Sequence, residues 1–168
     1  MGVIIREYQD ADYQVCRDLW RELTQWHRDI YEDPTIGGDD PGAYFDQYLD
    51  KPSLAGLWVA EASTAVVAMA GLLVDGKEAE IEPVIVRVGN RSQGIGTQLI
   101  LRLVEEARAR GVRSLSIKPV ARNAEAIRCF YQAGFTKLGH IEMFMDLMPK
   151  KDVEWKSGIV IHHNELRY

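Results

Sequence analysis

The sequence predicts an α/β protein with a mixed sheet whose first half is antiparallel, whose second half is connected by crossovers, and whose helices cover both faces. Three apolar strand patterns separated by tight turns follow one another over residues 57–88, which predicts an antiparallel meander. Beyond residue 96, helical and strand patterns alternate, as in crossover connections. The length of 168 residues predicts one domain over residues 1–147 and a C-terminal extension over residues 148–168.

The first half begins with a short strand at residues 3–6 and a long helix ending near residue 31, which Asp10 or Asp12 can cap. Apolar side chains with alternating three- and four-residue spacing form the core stripe of this helix: Cys16, Leu19, Leu23, Trp26 and Ile30. Proline and glycine predict a loop over residues 32–42. A short helix over residues 43–49 follows it.

The second half contains the three meander strands, predicted at residues 57–62, 66–74 and 80–88. A glycine-rich turn and a helix over residues 97–110 come next, and Gly111 ends that helix. Four more elements complete the chain: a strand, a helix, a long last strand and a tail strand, over residues 114–120, 124–133, 136–147 and 158–162.

The junction between the third meander strand and its helix is the most informative segment, VIVRVGNRSQGIGTQLILRL. Gly94 and Gly96 lack the Cβ atoms that would keep a ligand off the backbone, and they permit positive φ, so successive N–H groups can converge on one anion. The helix N-terminus adds positive charge, and Arg91 adds a full one. The junction therefore predicts a pyrophosphate cradle.

Other known phosphate-binding motifs do not match this segment. Gly89 and Gly94 have the Walker A spacing, but Ile95 and Gly96 stand where that motif needs lysine and a hydroxyl residue. The dinucleotide fingerprint needs a third glycine where Leu99 stands. The remaining alternative is a tight strand-to-helix turn with no ligand.

What does match is Arg91-x-x-Gly94-x-Gly96 after a strand, which resembles the coenzyme A signature of the GNAT N-acetyltransferases. A second segment, NAEAIRCFYQAGF, is similar to another motif of that family, and its matching residues are Asn123, Ala126, Phe130, Tyr131, Gly134 and Phe135. The order of the predicted elements is also that of the family. The resemblance implies the GNAT acyltransferase fold and acetyl-coenzyme A as donor cosubstrate.

The resemblance also implies which residues hold the coenzyme. Backbone N–H groups and side chains of the junction would bind the pyrophosphate, and they are Arg91, Ser92, Gln93, Gly94, Ile95, Gly96 and Thr97. The end of the preceding strand splays from its neighbour in the family, which makes Val86 and Val88 the candidates for pantetheine and thioester contacts. Pro83 could mark the bulge or edge of this strand. Asn123 could cap its helix or bond the pantetheine arm.

Three side chains are the candidates for catalysis. Glu80 stands where many family members carry a glutamate base, and Glu82, two residues on, shares its face of the strand and could replace it or act through a water. Tyr131 matches the tyrosine that the family uses as acid toward the departing thiolate. The resemblance thus predicts that Tyr131→Phe lowers turnover about a hundredfold while coenzyme binding stays nearly intact.

The acceptor is predicted to be a primary amine of a small molecule or peptide. Tyr31, Glu32, Asp33 and Tyr44 could hold it, because the region between the first two helices shapes the acceptor pocket in the family. The net charge of −5 suits a cationic substrate and disfavours a nucleic acid as partner. A different class of function remains open: a coenzyme-binding sensor or structural relative without turnover.

Composition adds further expectations. No long apolar span or signal-peptide pattern occurs, so we expect a cytoplasmic protein without membrane contact. Cys16 and Cys129 lie on separate predicted helices and should be reduced packing residues. His162 and His163 are adjacent strand residues that point to opposite faces, so no metal site is expected. The tail strand could add to a sheet edge, in cis or across a homodimer.

Overall fold

A computed structural model describes residues 2–145, 147 and 154–168, and five strands form one sheet in chain order. The strands are β1 (Ile4–Glu7), β2 (Leu54–Ala62), β3 (Ala65–Asp75), β4 (Glu78–Val86) and β5 (Ser114–Ile117). Strands β1 to β4 pair antiparallel, whereas β5 runs parallel to β4. The predicted meander and the crossover connection are confirmed.

Helices cover both faces of this sheet, as the sequence predicts. The helices are α1 (Tyr13–Tyr31), α2 (Ala43–Leu49), α3 (Ile95–Ala109) and α4 (Ala124–Gln132). Helices α1 and α2 bury Leu19, Phe45 and Tyr48 against one face, and α3 buries Leu99 and Leu103 against the other. Alternate residues of the central strands supply the two cores, because successive strand side chains point to opposite faces.

Strand β4 has a bulge at Glu82 and Pro83, which confirms the role expected for Pro83. Ala70 pairs with Val84 and Leu72 with Ile81, so Glu82 and Pro83 together stand opposite Gly71. A Cβ at Gly71 would lie 2.7 Å from the carbonyl oxygen of Glu82, so glycine allows this close approach. The extra residue reverses the faces: Ile81 packs in the α3 core and Ile85 in the α1 core.

Strands β4 and β5 separate after a short contact. Strand β5 pairs with Glu78 to Ile81 only, and Ile81 opposite Ile117 is the last pair. Beyond this pair β4 continues to Val86 along β3 without β5. We refer to the divergence of the two strands after Ile81 and Ile117 as the fork.

Several predicted boundaries need correction. Strand β4 ends at Val86, and Val88 lies in a short 3-10 turn (Val88–Asn90) rather than on the strand. Helix α3 begins at Ile95, two residues before the predicted start, because Gly94 adopts the left-handed conformation just ahead of it.

The long last strand expected over residues 136–147 is wrong for the part that the structure describes. Residues 136–145 have no regular secondary structure, and residue 146 lies outside the described residues. Apolar side chains alternate in this segment, but Met143 and Met145 are 73% and 81% exposed. Alternation shows only that a segment could pair, and a strand also needs a partner edge.

The tail strand forms, but it pairs within the extension. Strands β6 (Ile159–Ile161) and β7 (Asn164–Leu166) make a separate antiparallel hairpin. His162 and His163 are its turn residues, with φ of 47° and 66°, and so do not lie on the strand as predicted. Residues 148–153 of the expected linker lie outside the described residues.

Candidate active site

The glycine loop, residues 91–96, leads from the 3-10 turn into α3. Gly94 is the N-cap of α3 with φ of 78°, and Ser92 also has positive φ. No described side chain caps this terminus. The N–H groups of the first helical turn therefore remain available to a ligand, with the positive end of the helix dipole behind them.

A cavity of about 290 Å³ lies between this loop, the end of β4, α4 and the C-terminal half of α1. Eight of the predicted coenzyme residues line it: Val86, Arg91, Ser92, Gly94, Ile95, Gly96, Thr97 and Asn123. Val88, Gln93 and Tyr131 are not among the described lining residues, and Val88 is 60% exposed. The loop is thus placed at a cavity, as its motif predicts.

Sequence reasoning missed other lining residues. They are Leu23, Trp26, Val84, Ile85, Asn90, Glu125, Ala126, Arg128, Cys129, Phe130 and Gln132. Leu23 and Trp26 belong to the apolar stripe of α1, which the sequence assigns to the core. The α4 residues could have been found from the sequence, because Ala126, Cys129 and Phe130 recur at helical spacing and predict a helix face that is turned toward the protein interior.

Backbone groups at the end of β4 face the fork. The N–H of Arg87 donates to the carbonyl oxygen of Val67 on β3 at 2.8 Å. Adjacent residues of an antiparallel strand direct their backbone groups to opposite sides, so Val84 and Val86 direct theirs away from β3. Since β5 does not extend past Ile117, these groups border the cavity rather than a neighbouring strand.

Arg91 folds back over this strand end. Its Nε donates to the Val86 carbonyl oxygen at 3.1 Å, and one terminal nitrogen lies 3.5 Å from the Glu125 carboxylate. Its guanidinium carbon lies 4.7 Å from the ring centre of Trp26, a cation–π distance. The Arg91 side chain is therefore in contact with groups on three sides of the cavity.

The N-terminus of helix α4 borders the same cavity. The Asn123 side chain accepts a hydrogen bond from the N–H of Ala126 at 3.0 Å, so the expected capping role is confirmed. Asn123 also lines the cavity. Phe130 is 8% exposed and lines the cavity, whereas the adjacent Tyr131 is 64% exposed.

The two candidate base residues lie at the fork, and each pairs with a lysine. Glu80 Oε2 lies 2.5 Å from Lys118 Nζ, a contact that raises the pKa of Lys118. Glu82 Oε2 lies 3.1 Å from Lys51 Nζ. Glu80 lies before the bulge of β4 and Glu82 is one of the two bulge residues, yet both carboxylates lie close enough to Lys118 to raise the pKa of its ammonium group.

None of the four predicted acceptor residues is among the described residues that line the cavity. Tyr31 packs against the Arg122 guanidinium at 4.8 Å, and Glu32 ends α1 in the left-handed conformation. Asp33 accepts hydrogen bonds from the backbone and hydroxyl of Thr35, and the Tyr44 side chain is 51% exposed. The acceptor assignment stays a prediction.

Both cysteines are free thiols in the structure. Cys16 is buried in the α1 core, and burial raises the pKa of its thiol to about 12. Within the described ranges, no group of three His, Cys, Asp or Glu side chains could hold a metal ion. No helix in the described part is long and apolar enough to cross a membrane.

The sequence profile of the Acetyltransferase (GNAT) family matches residues 19–135, which include most of α1, the whole of α2 to α4 and the glycine loop. The chain belongs to the GNAT acetyltransferase family. Members of the family are generally acetyl-coenzyme A acetyltransferases. A comparison with curated protein sequences gives no match.

Solved GNAT structures share the fold. AAC(6′)-Iy, in complex with the bisubstrate analog CoA-S-monomethyl-acetylneamine, is 16% identical with a TM-score of 0.63, over 87% of this chain and 99% of that one. The Escherichia coli ribosomal-protein-S18-alanine N-acetyltransferase is 19% identical with a TM-score of 0.60, over 82% and 80%. A structure described as a transcriptional regulator from Bacillus halodurans C-125 is 25% identical with a TM-score of 0.65, over 86% and 99%.

Proposed function

We propose that the protein transfers an acetyl group from acetyl-coenzyme A to a primary amine of a small molecule or peptide, by direct attack with both substrates bound. One observation carries the proposal: the glycine loop at the α3 N-terminus and the unpaired end of β4 border the same cavity. The thioester supplies an activated acetyl group. The chain must hold the coenzyme, orient the thioester and receive the proton of the amine.

The glycine loop would bind the pyrophosphate. N–H groups of Gln93 to Gly96 can converge on an anion, because Gly94 places them at the start of α3. Arg91 supplies a positive charge beside them, and the Thr97 hydroxyl borders the cavity. Family structures solved with coenzyme A and its analogs support this type of cosubstrate.

The fork would orient the thioester. Backbone groups of Val86 can bond pantetheine amides, and an N–H directed into the fork can donate to the thioester oxygen as negative charge develops there. One such donor typically lowers a barrier by about 3 kcal/mol. Val86 suits this role better than Val88, because Val88 lies beyond the strand and outside the cavity lining.

Glu82 is the first candidate for receiving the proton of the amine, whose pKa in solution is about 10. Glu82 stands two positions before Val84 at the cavity, a distance of at most about 7 Å along an extended chain. Glu80 lies two residues farther back. Because neither acid is among the cavity residues, a water would carry the proton to either.

Release of free thiol from acetyl-coenzyme A across a panel of amines tests the proposal. We expect amine-dependent release by the wild type, and a loss of about a hundredfold in Glu82→Gln if that carboxylate receives the proton. Glu80→Gln is the matched variant on the same face. Equal activity of both variants and the wild type would remove the acids from the mechanism.

The coenzyme-binding sensor is the second candidate. The lysine partners of both acids and the exposed position of Tyr131 are the observations that support it. Tight binding of coenzyme A without thiol release for any amine would support the sensor.

A further inference from the structure

The Arg91 guanidinium is fixed by three different groups. Its Nε donates a hydrogen bond to the Val86 carbonyl, its terminal nitrogen faces the Glu125 carboxylate, and its guanidinium carbon lies 4.7 Å from the centre of the Trp26 ring. These contacts come from β4, α4 and α1, and all three residues line the cavity. Arg91 therefore lies across the cavity between the glycine loop and the fork.

The position of Arg91 connects the binding of an anion at the glycine loop to the binding of an amide at the fork. The Val86 carbonyl is the acceptor that a pantetheine amide would need at the fork, and Arg91 already donates to it. An anion at the glycine loop would attract the same guanidinium, in competition with Glu125. Movement of Arg91 toward that anion frees the Val86 carbonyl.

We propose that Trp26 is a positioning residue that holds Arg91 on the Val86 carbonyl, so that the pyrophosphate half of the coenzyme frees the site for the pantetheine half. This inference rests on the proposed function, because it concerns the same coenzyme. It assigns a role to a tryptophan that sequence reasoning placed in the core. The Trp26 ring holds the guanidinium beside α1, at a place where its Nε reaches the Val86 carbonyl of β4.

The coupling can be measured because the two halves of the coenzyme exist as separate molecules. Binding of pantetheine is titrated by NMR with and without saturating inorganic pyrophosphate. In the wild type, pyrophosphate should lower the Kd of pantetheine at least threefold, and pantetheine should lower the Kd of pyrophosphate by the same factor, since coupling between two sites is reciprocal. Independent binding of the two fragments would overturn the inference.

Variants separate positioning from general effects on the site. Trp26→Leu should lower the Kd of pantetheine measured alone and reduce the coupling below twofold. Glu125→Gln should tighten pyrophosphate binding at least twofold, because the competing carboxylate is gone. Unchanged coupling in Trp26→Leu would overturn the role of Trp26, and the wild-type measurement still tests the coupling if that variant does not fold.

A matched control exists on α3. The Arg102 guanidinium lies 5.6 Å from the Trp58 ring centre and pairs with Glu106, but Arg102 is not among the described cavity residues. Arg102→Ala should keep the full coupling, whereas Arg91→Ala should abolish it. Coenzyme A itself is titrated first: if it does not bind the wild type, the proposed function fails, whereas normal binding with uncoupled fragments overturns this inference alone.

Discussion

Tyr131 and Phe130 are neighbours in the chain, yet they lie on different sides of α4. A helix rotates by about 100° per residue, so Phe130 and Tyr131 point in different directions, and only one of these two lines the cavity. Phe130 is that residue, at 8% exposure, and the Tyr131 side chain is 64% exposed. The cavity residue next to Tyr131 therefore carries a phenyl ring, which has no proton to donate.

Substitution of Tyr131 tests this placement. Tyr131→Phe should keep turnover within about twofold of the wild type, because the exposed Tyr131 side chain is not among the described residues that line the cavity. The measurement is kcat with acetyl-coenzyme A and the best amine of the panel. A drop of about a hundredfold would instead restore the acid role that the family resemblance implies.

The cavity residues of the glycine loop were easier to predict than the cavity residues that lie on helices. The loop motif is contiguous, so spacing alone brings Arg91, Gly94 and Gly96 together. Trp26 reaches the cavity from a helix more than sixty residues earlier in the chain, and an apolar stripe looks the same whether it packs on a sheet or borders a cavity. Only the packing of α1 against the end of β4 shows that part of this stripe borders the cavity.

At the scale of elements, Asp12 connects β1 to the start of α1. It is the N-cap of α1, as the sequence allows, but its carboxylate accepts two hydrogen bonds from Arg6, at 2.7 and 2.9 Å, and one from the N–H of Gln9. The Arg6 guanidinium holds the pKa of this buried carboxyl below its usual range. The carboxylate therefore stabilises the fold only while it is ionised.

Asp12→Asn should lower the free energy of unfolding by about 2 kcal/mol at pH 7. Because the folded-state pKa is depressed, this contribution is complete above the unfolded pKa near 4 and is lost as the pH falls through the lower folded pKa. Urea unfolding at pH 7 and pH 3 measures it, and the variants should converge at acid pH. Asp18→Asn, whose partner Arg21 is exposed, is the control with little expected effect.

The helices and the meander strands, which pair with their neighbours across tight turns, were predicted well, whereas the last long strand was not. Helices α1, α2 and α4 lie close to their predicted bounds, because helical hydrogen bonds form within the segment. Residues 136–145 carry strand-like alternation without a paired edge among the described residues. Pairing is a property of two segments, and the sequence of one does not contain it.

For the whole molecule, Arg122 connects the family domain to the C-terminal extension, which Phe144 also contacts through Trp155. Its guanidinium lies 4.8 Å from the Tyr31 ring centre and 5.4 Å from that of Trp155. It donates to the carbonyl oxygens of Ile30, at the end of α1, and Glu154, at 3.2 and 2.8 Å. One side chain therefore fixes the end of α1, the start of α4 and the extension.

Arg122→Gln should release the extension without unfolding the sheet. The loss of two hydrogen bonds from a charged donor is expected to lower the free energy of unfolding by about 2 kcal/mol. Trp155 would lose its cationic neighbour, so its fluorescence should shift to longer wavelength, and the shift should vanish in a Trp155→Phe background. Arg113→Gln, at an exposed position, removes the same charge as a control. Unchanged Trp155 emission in Arg122→Gln would show that the hairpin is held by other contacts.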